Sequence, residues 1–160
     1  MNSPLLYSLA ICAISATLEG ILAGRGIEAR FADLRLPRYS PPFLVWFVIG
    51  GIFYVVCFTV LYRLFSLSPS GLRNAALALL VGMLVMNALW NYVFFRLRNL
   101  LLSFVAFLPY CLVAVALFVL TLKLDRLAAM SLLPYVVYLA YAGAWGYGVW
   151  KLNRPGEPAA

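Results

Sequence analysis

Four stretches of this chain contain no charged side chain: Tyr39 to Tyr62, Asn74 to Phe95, Asn99 to Leu122 and Leu127 to Trp150, each 22 to 24 residues long. A helix rises about 1.5 Å per residue, so roughly 20 apolar residues cross the hydrocarbon of a bilayer. A fifth stretch, Pro4 to Ala23, holds one charge, Glu19. The chain is 66% hydrophobic with a mean hydropathy of +0.98, whereas soluble domains are only about half apolar. These features predict an all-α polytopic membrane protein. It is a five-transmembrane-helix bundle with spans near 4–23, 42–64, 73–95, 99–122 and 127–150, forming a single domain over residues 1–160. No length remains for a soluble module.

The same residues narrow the chemistry. Histidine is absent, which removes imidazole metal sites, bis-histidine haem ligation and Ser-His-Asp triads. Cys12, Cys57 and Cys111 lie in three different spans and read as small apolar side chains, not a disulfide framework. The net charge of +7 has no soluble aromatic-and-basic surface to act through, so a nucleic-acid partner is not expected. The charge reads as topology instead. Arg25, Arg30, Arg35, Arg38, Arg96, Arg98, Lys151 and Arg154 fall on one side, against Arg63, Arg73, Lys123 and Arg126 on the other. Eight against four places the C-terminus inside and the N-terminus outside, in the manner of a bacterial inner membrane. The first span has no basic n-region and runs too long for a signal peptide, so it is expected to stay as a helix.

The loops are unequal. Ser68-Pro69-Ser70-Gly71 and Lys123-Leu124-Asp125-Arg126 are short, so the helices they join are antiparallel neighbours. The loop of residues 24–41 is long, carries four arginines and ends in Leu36-Pro37-Arg38-Tyr39-Ser40-Pro41-Pro42, whose prolines stiffen it as they would a lid. The bland reading is that its arginines only obey the positive-inside rule and its prolines only start the next helix. Small-residue ladders at Ala16, Gly20 and Gly24 and at Ala140, Ala144 and Gly148 predict intramolecular seams, and Ala78 with Gly82 offers a face equally suited to a homodimer or to packing within the monomer.

Polar and aromatic residues mark one region. Asn87, Trp90, Asn91 and Phe94 share a helical face, placing two amides at membrane depth where an unpaired one is costly. In the last span Tyr135, Tyr138, Tyr141 or Ala142, and Trp145 repeat at three and four residues. Together they describe an aromatic-walled cavity with a few hydrogen-bonding groups, suited to a flat apolar ligand, although an aromatic belt over ordinary packing has the same spacing. Glu19 lies about one turn from the end of its span and is expected to reach the interface or pair with Arg25.

Leu36-Pro37-Arg38-Tyr39-Ser40-Pro41-Pro42, then Phe53-Tyr54, Asn87-Ala88-Leu89-Trp90 with Phe94-Phe95, Leu124-Asp125 with Leu133-Pro134-Tyr135, and Leu152-Asn153-Arg154-Pro155 occur in an order that resembles the TspO/MBR family of tryptophan-rich sensory proteins and mitochondrial translocator proteins. The resemblance covers nearly the whole chain. It implies a five-helix bundle, usually dimeric, with a pocket beneath the first loop lined by the first, second, third and fifth spans. By motif position Pro41, Pro42, Tyr54, Asn87, Trp90, Phe94, Pro134, Tyr135 and Ala142 correspond to that pocket. The chain departs from the pattern where the family has tryptophans, reading Arg38-Tyr39, Gly50-Gly51 and Tyr138 instead. Gly146 replaces an asparagine, and the cholesterol consensus fails around Tyr147.

The combined expectation is a receptor or carrier for a tetrapyrrole-like ligand, porphyrin or haem, with no cofactor required. Its ring would stack on Trp90, Phe94, Tyr135 and Tyr138, while Asn87 donates a hydrogen bond and Arg38 beside Tyr39 attracts ligand carboxylates. Other partners are membrane lipid and a second copy of the chain. Two other classes share these residues: a photo-oxidative porphyrin-degrading enzyme, which the missing tryptophans disfavour, and a ligand-independent membrane scaffold.

Overall fold

A computed structural model describes residues 3–154, which leaves Pro155 of the last motif outside the described residues. Five long helices, α1 (Ser3–Ala23), α3 (Phe43–Ser66), α4 (Gly71–Asn91), α5 (Leu100–Leu124) and α6 (Arg126–Leu152), are accompanied by a short one, α2 (Ile27–Ala32). A single π-helical turn, Tyr92–Arg96, extends α4. The spans begin and end within four residues of the charge-free stretches, because charged residues and turn formers both stop at the interface. The π turn and α2 have no such signature; six residues are too few to display a period.

Local chemistry explains the helix starts. Ser70 accepts the Arg73 N–H at 3.2 Å, Asn99 accepts from Leu102 at 2.9 Å, and Asp125 accepts from Leu127 and Ala128 at 2.9 and 3.2 Å. These caps take up N–H groups left orphaned in the first turn. Gly24 ends α1 at φ +73° and Gly26 opens α2 at φ +88°, left-handed geometry that glycine adopts without a Cβ penalty. Within the spans, Ser8, Thr17, Thr59, Thr121 and Ser131 each donate to the carbonyl four residues back, so no hydroxyl among them is left unpaired in an apolar medium.

The bundle is solid at one end and hollow at the other. At the end of the short loops, Cys57, Val60, Leu61 and Leu64 of α3 pack with Leu80, Met83 and Leu84 of α4, Leu117 of α5 and Leu132 of α6, all almost completely buried. The three cysteines are free. The outward faces are as apolar as this core. Leu101, Val105, Leu108, Leu112, Val115, Val119 and Leu122 form an unbroken three-four stripe along α5, all exposed. A stripe of this kind is stable against acyl chains and not against water.

Two small-residue ladders do not form the seams expected of them. Nothing lies within 4 Å of a Cβ built on Gly20, and Ala16, Ala140 and Ala144 are exposed. Only the last rung of each is in close contact: Gly24 against Arg96 and Gly148 against Pro37 and Tyr39. The chain uses them to seat a loop, where a Cβ would collide, and not to bring two long helices together.

Asp125 closes the solid end. Its carboxylate also accepts from Arg63 Nε at 2.7 Å, the one ion pair among the described residues. Burial raises the carboxyl pKa, but the Arg63 hydrogen bond and charge and the N–H groups of Ala128 and Leu127 outweigh it, and the net shift is downward. A carboxyl with a depressed folded pKa contributes its stability above the unfolded value, and that contribution is lost as pH falls through the folded one. Replacing Asp125 by alanine removes a cap worth about 1 kcal/mol and a half-exposed ion pair worth at most about another. Thermal melts in neutral detergent should show Asp125→Ala a few degrees below wild type at pH 7. The gap should narrow as pH drops below about 3.9; an equal gap at every pH contradicts the assignment.

Candidate functional site

Beneath α2, the bundle encloses a cavity of about 370 Å³. Glu19 of α1, Phe31 of α2, Trp46, Gly50 and Phe53 of α3, Asn87, Trp90 and Asn91 of α4, Phe94 and Phe95 of the π turn, Phe104, Phe107 and Tyr110 of α5, and Tyr135, Tyr138, Ala142 and Trp145 of α6 all line it. Each helix supplies its wall from one face. Trp46, Gly50 and Phe53 are spaced i, i+4, i+7, as are Ser103, Phe107 and Tyr110. The π turn matters because it brings Phe94 and Phe95, adjacent in sequence, onto the same hollow. π turns inserted in α-helices are frequent at functional sites.

The rings support one another. Phe31 lies 5.4 to 6.3 Å, centroid to centroid, from Phe43, Trp46, Phe94, Phe95 and Trp145, and so anchors α2 over the cavity. Trp46 and Trp145 are 4.6 Å apart, and Trp90 stacks on Phe94 at 4.9 Å. Trp90 Nε1 donates to the Ser103 carbonyl at 3.0 Å, which fixes its ring. At the floor the Tyr110 and Tyr135 hydroxyls hydrogen-bond to each other. The Trp46 indole N–H is buried without an acceptor among protein atoms, a desolvation cost of about 1–3 kcal/mol.

Glu19 is the polar centre. Its Oε2 accepts from the Tyr54 hydroxyl at 2.7 Å and from Asn87 Nδ2 at 2.9 Å, and its Oε1 accepts from Asn91 Nδ2 at 3.0 Å. Among the described residues no Lys or Arg nitrogen comes within 4 Å of it, so the expected pairing with Arg25 does not occur, and the carboxylate is held by α3 and α4 inside the bundle. The reason is directional. Side chains on a helix tilt toward its N-terminus, and α1 runs away from the solid end, so the carboxylate is carried inward. It meets Asn87, which lies nine residues, about 14 Å, from the end of the π turn.

The long loop is docked. Tyr39 Oη donates to the Ala144 carbonyl at 2.9 Å, Tyr141 Oη donates to the Tyr39 carbonyl at 3.0 Å, and Trp145 Nε1 donates to Ser40 Oγ at 2.8 Å. The Asn153 side chain both accepts from and donates to the Arg35 backbone, at 3.0 and 2.9 Å. Arg30 is buried beside Arg98, whose carbonyl it meets at 3.3 Å. Burial and the Arg98 charge lower its pKa against the opposing pull of Asp33. A Cβ at Gly148 would sit 2.8 Å from Pro37 Cγ and Tyr39 Oη. Gly148→Ala should therefore loosen the loop, and trypsin should cut its arginines about tenfold faster, the effect of roughly 1.4 kcal/mol on local opening. Unchanged cleavage means that the loop accommodates the methyl.

Eight of the residues singled out from sequence face this hollow: Asn87, Trp90, Asn91, Phe94, Tyr135, Tyr138, Ala142 and Trp145. Tyr54 is not in the wall; it holds Glu19 from behind. Tyr39, 53% exposed, is a clasp for the loop. Pro41 and Pro42 lead into α3 and lie outside the wall, as does the exposed Arg38. Pro134 is exposed on the outer face of α6, because it is turned about 100° from the inward-facing Tyr135. Glu19, Phe31, Trp46, Phe53 and the α5 wall were not among the residues assigned to the cavity. The spacings on α3 and α5 were visible in the sequence, whereas Phe31 and Glu19 depend on the fold.

The family comparison agrees with this architecture. The TspO/MBR family model matches residues 8–151. The chain belongs to the TspO/MBR family. Protein CrtK of Rhodobacter capsulatus is 30% identical over 138 residues, covering 81% of each chain. Translocator protein of Sus scrofa is 29% identical over 145 residues, covering 86% of this chain and 85% of its own. In this TspO/MBR protein three of the four tryptophans, Trp46, Trp90 and Trp145, stand in the cavity wall. The tryptophans missing at Gly50 and Tyr138 thus leave the hollow lined by others.

Proposed function

We propose that this TspO/MBR protein is an integral membrane receptor or carrier that binds a flat, largely apolar ligand of the tetrapyrrole class beneath α2. The observation that carries the reading is the hollow itself: about 370 Å³ walled by aromatic rings, beside a tightly packed apolar core. Small-molecule sites commonly span about 300–1,000 Å³. A porphyrin or haem is expected to lie with its ring system in this space and its carboxylate edge outside. The loop above carries Arg25, Arg30, Arg35 and Arg38, to which such an edge is attracted. Inside, Trp90, Phe94, Tyr135 and Tyr138 offer ring faces, and Ala142 leaves the room.

The eight-against-four distribution of Lys and Arg supports a C-terminus on the cytoplasmic side of a bacterial inner membrane. One relative is named a translocator, and passage of the ligand is what a carrier adds to binding. The exposed Ala78 and the unpartnered Gly82 on α4 leave a face that a second copy can approach closely. Protoporphyrin titrated into purified protein should quench tryptophan fluorescence saturably, since three of four indoles line the cavity. Linear quenching equal to that of empty micelles overturns the proposal.

A further inference from the structure

Glu19 is the one charged residue in the cavity wall among the described residues, and it is acidic. Its three partners, the Tyr54 hydroxyl and the Asn87 and Asn91 amides, are neutral donors, and no basic nitrogen of the described residues lies within 4 Å. A carboxylate offers about four acceptor positions. Oε2 uses two, and Oε1 uses one, so an acceptor position remains on Oε1. A second feature surrounds it. The wall includes the rings of Trp46, Trp90, Phe94 and Trp145, and the cation–π contacts of the described residues lie elsewhere, at Arg73 with Phe65 and Arg154 with Trp150. Negative ring faces around an acceptor with no cation of its own form a site for positive charge.

We infer that the cavity selects flat aromatic ligands carrying a protonated amine or a peripheral N–H, which is directed at Glu19 while the ring lies among the tryptophans. This rests on the cavity being a ligand site, and it adds a rule of polarity. The inner end of the guest is a donor, and any carboxylate it bears points away, toward the arginine-rich loop.

The test uses three acridines of nearly one shape, added to the full-length protein in uncharged maltoside micelles, with partition into empty micelles subtracted. They are 9-aminoacridine, cationic at neutral pH; acridine, neutral; and acridine-9-carboxylate, anionic. Wild type should bind the amine at least about tenfold more tightly than acridine, and the carboxylate most weakly. Glu19→Gln should bring the amine-to-acridine ratio close to one, while Glu19→Asp should keep a preference for the amine. A wild-type ratio near one overturns the inference without any variant, and so does a preference that survives in Glu19→Gln. Ala142→Phe separates the two levels of failure. If it blocks all three dyes and the ratio is one, the cavity is a ligand site without charge selection. If the dyes still bind, they sit elsewhere, and the inference falls together with the reading it rests on.

Discussion

Ala142→Phe is expected to abolish saturable porphyrin binding, weakening it by at least about a hundredfold, the equivalent of roughly 2.7 kcal/mol, with little change in melting temperature. Ala142 faces the hollow from α6 between Tyr138 and Trp145. A phenyl group built there occupies space that is empty, so the overpacking penalty that follows extra bulk in a filled core does not arise. The guest loses the room for its ring. Titration of tryptophan fluorescence with protoporphyrin measures the loss, and a melt in the same detergent separates it from unfolding. A variant that melts like wild type yet binds porphyrin with wild-type affinity would move the site out of the cavity.

The second large effect belongs to stability. Glu19→Ala removes the acceptor shared by Tyr54, Asn87 and Asn91, and these donors are left in a space where replacement partners are few. Hydrogen bonds between membrane helices average about 0.6 kcal/mol, so three of them amount to roughly 2 kcal/mol, and exposed neutral positions cannot offset it. The location amplifies the effect. Only Ser8 and Ala23 of α1 are buried, so the Glu19 network is the principal polar tie between α1 and the rest of the bundle. Melts should fall by several degrees for Glu19→Ala and by less for Glu19→Gln, which keeps a side-chain oxygen as acceptor. Maleimide labelling of Cys12, which lies on α1 against the core, should accelerate in the alanine variant. Equal melts for wild type and Glu19→Ala mean that the network contributes nothing to holding α1.

The opposite ends of the bundle explain why the two substitutions behave so differently. Leu61, Leu64, Leu80, Met83, Leu117 and Leu132 close the end near Asp125, and a smaller cluster of Phe94, Trp145 and Val149 packs the other half. The hollow half can then be shaped by rings and by a few directed polar groups. Phe31 and the clasp of Tyr39, Tyr141 and Ser40 keep α2 over it.

Much of this molecule was legible one residue at a time. Charge-free stretches specify the five spans because burying a charged side chain in hydrocarbon is costly wherever it occurs along the chain. Period 3.6 placed Asn87, Trp90, Asn91 and Phe94 on one face, and Tyr135, Tyr138, Ala142 and Trp145 on another, as helical geometry requires. What one dimension cannot express is which faces meet. Pro134 and Tyr135 are neighbours in sequence, yet one faces outward and the other lines the cavity. Gly20 belongs to a perfect ladder yet has nothing within 4 Å of its Cβ position, while Gly148 seats a loop more than a hundred residues away. Glu19 looks like an interfacial residue by its distance from the helix end. Only the tilt of its side chain, and the approach of α3 and α4 carrying Tyr54, Asn87 and Asn91, make it the inner acceptor of the cavity. Sequence alone determined that this chain lives in a bilayer as five helices, since that follows from the solvation of each residue. The packing of those helices decided where the hollow lies and what charge it presents, since both depend on directions in space that no spacing along the chain encodes.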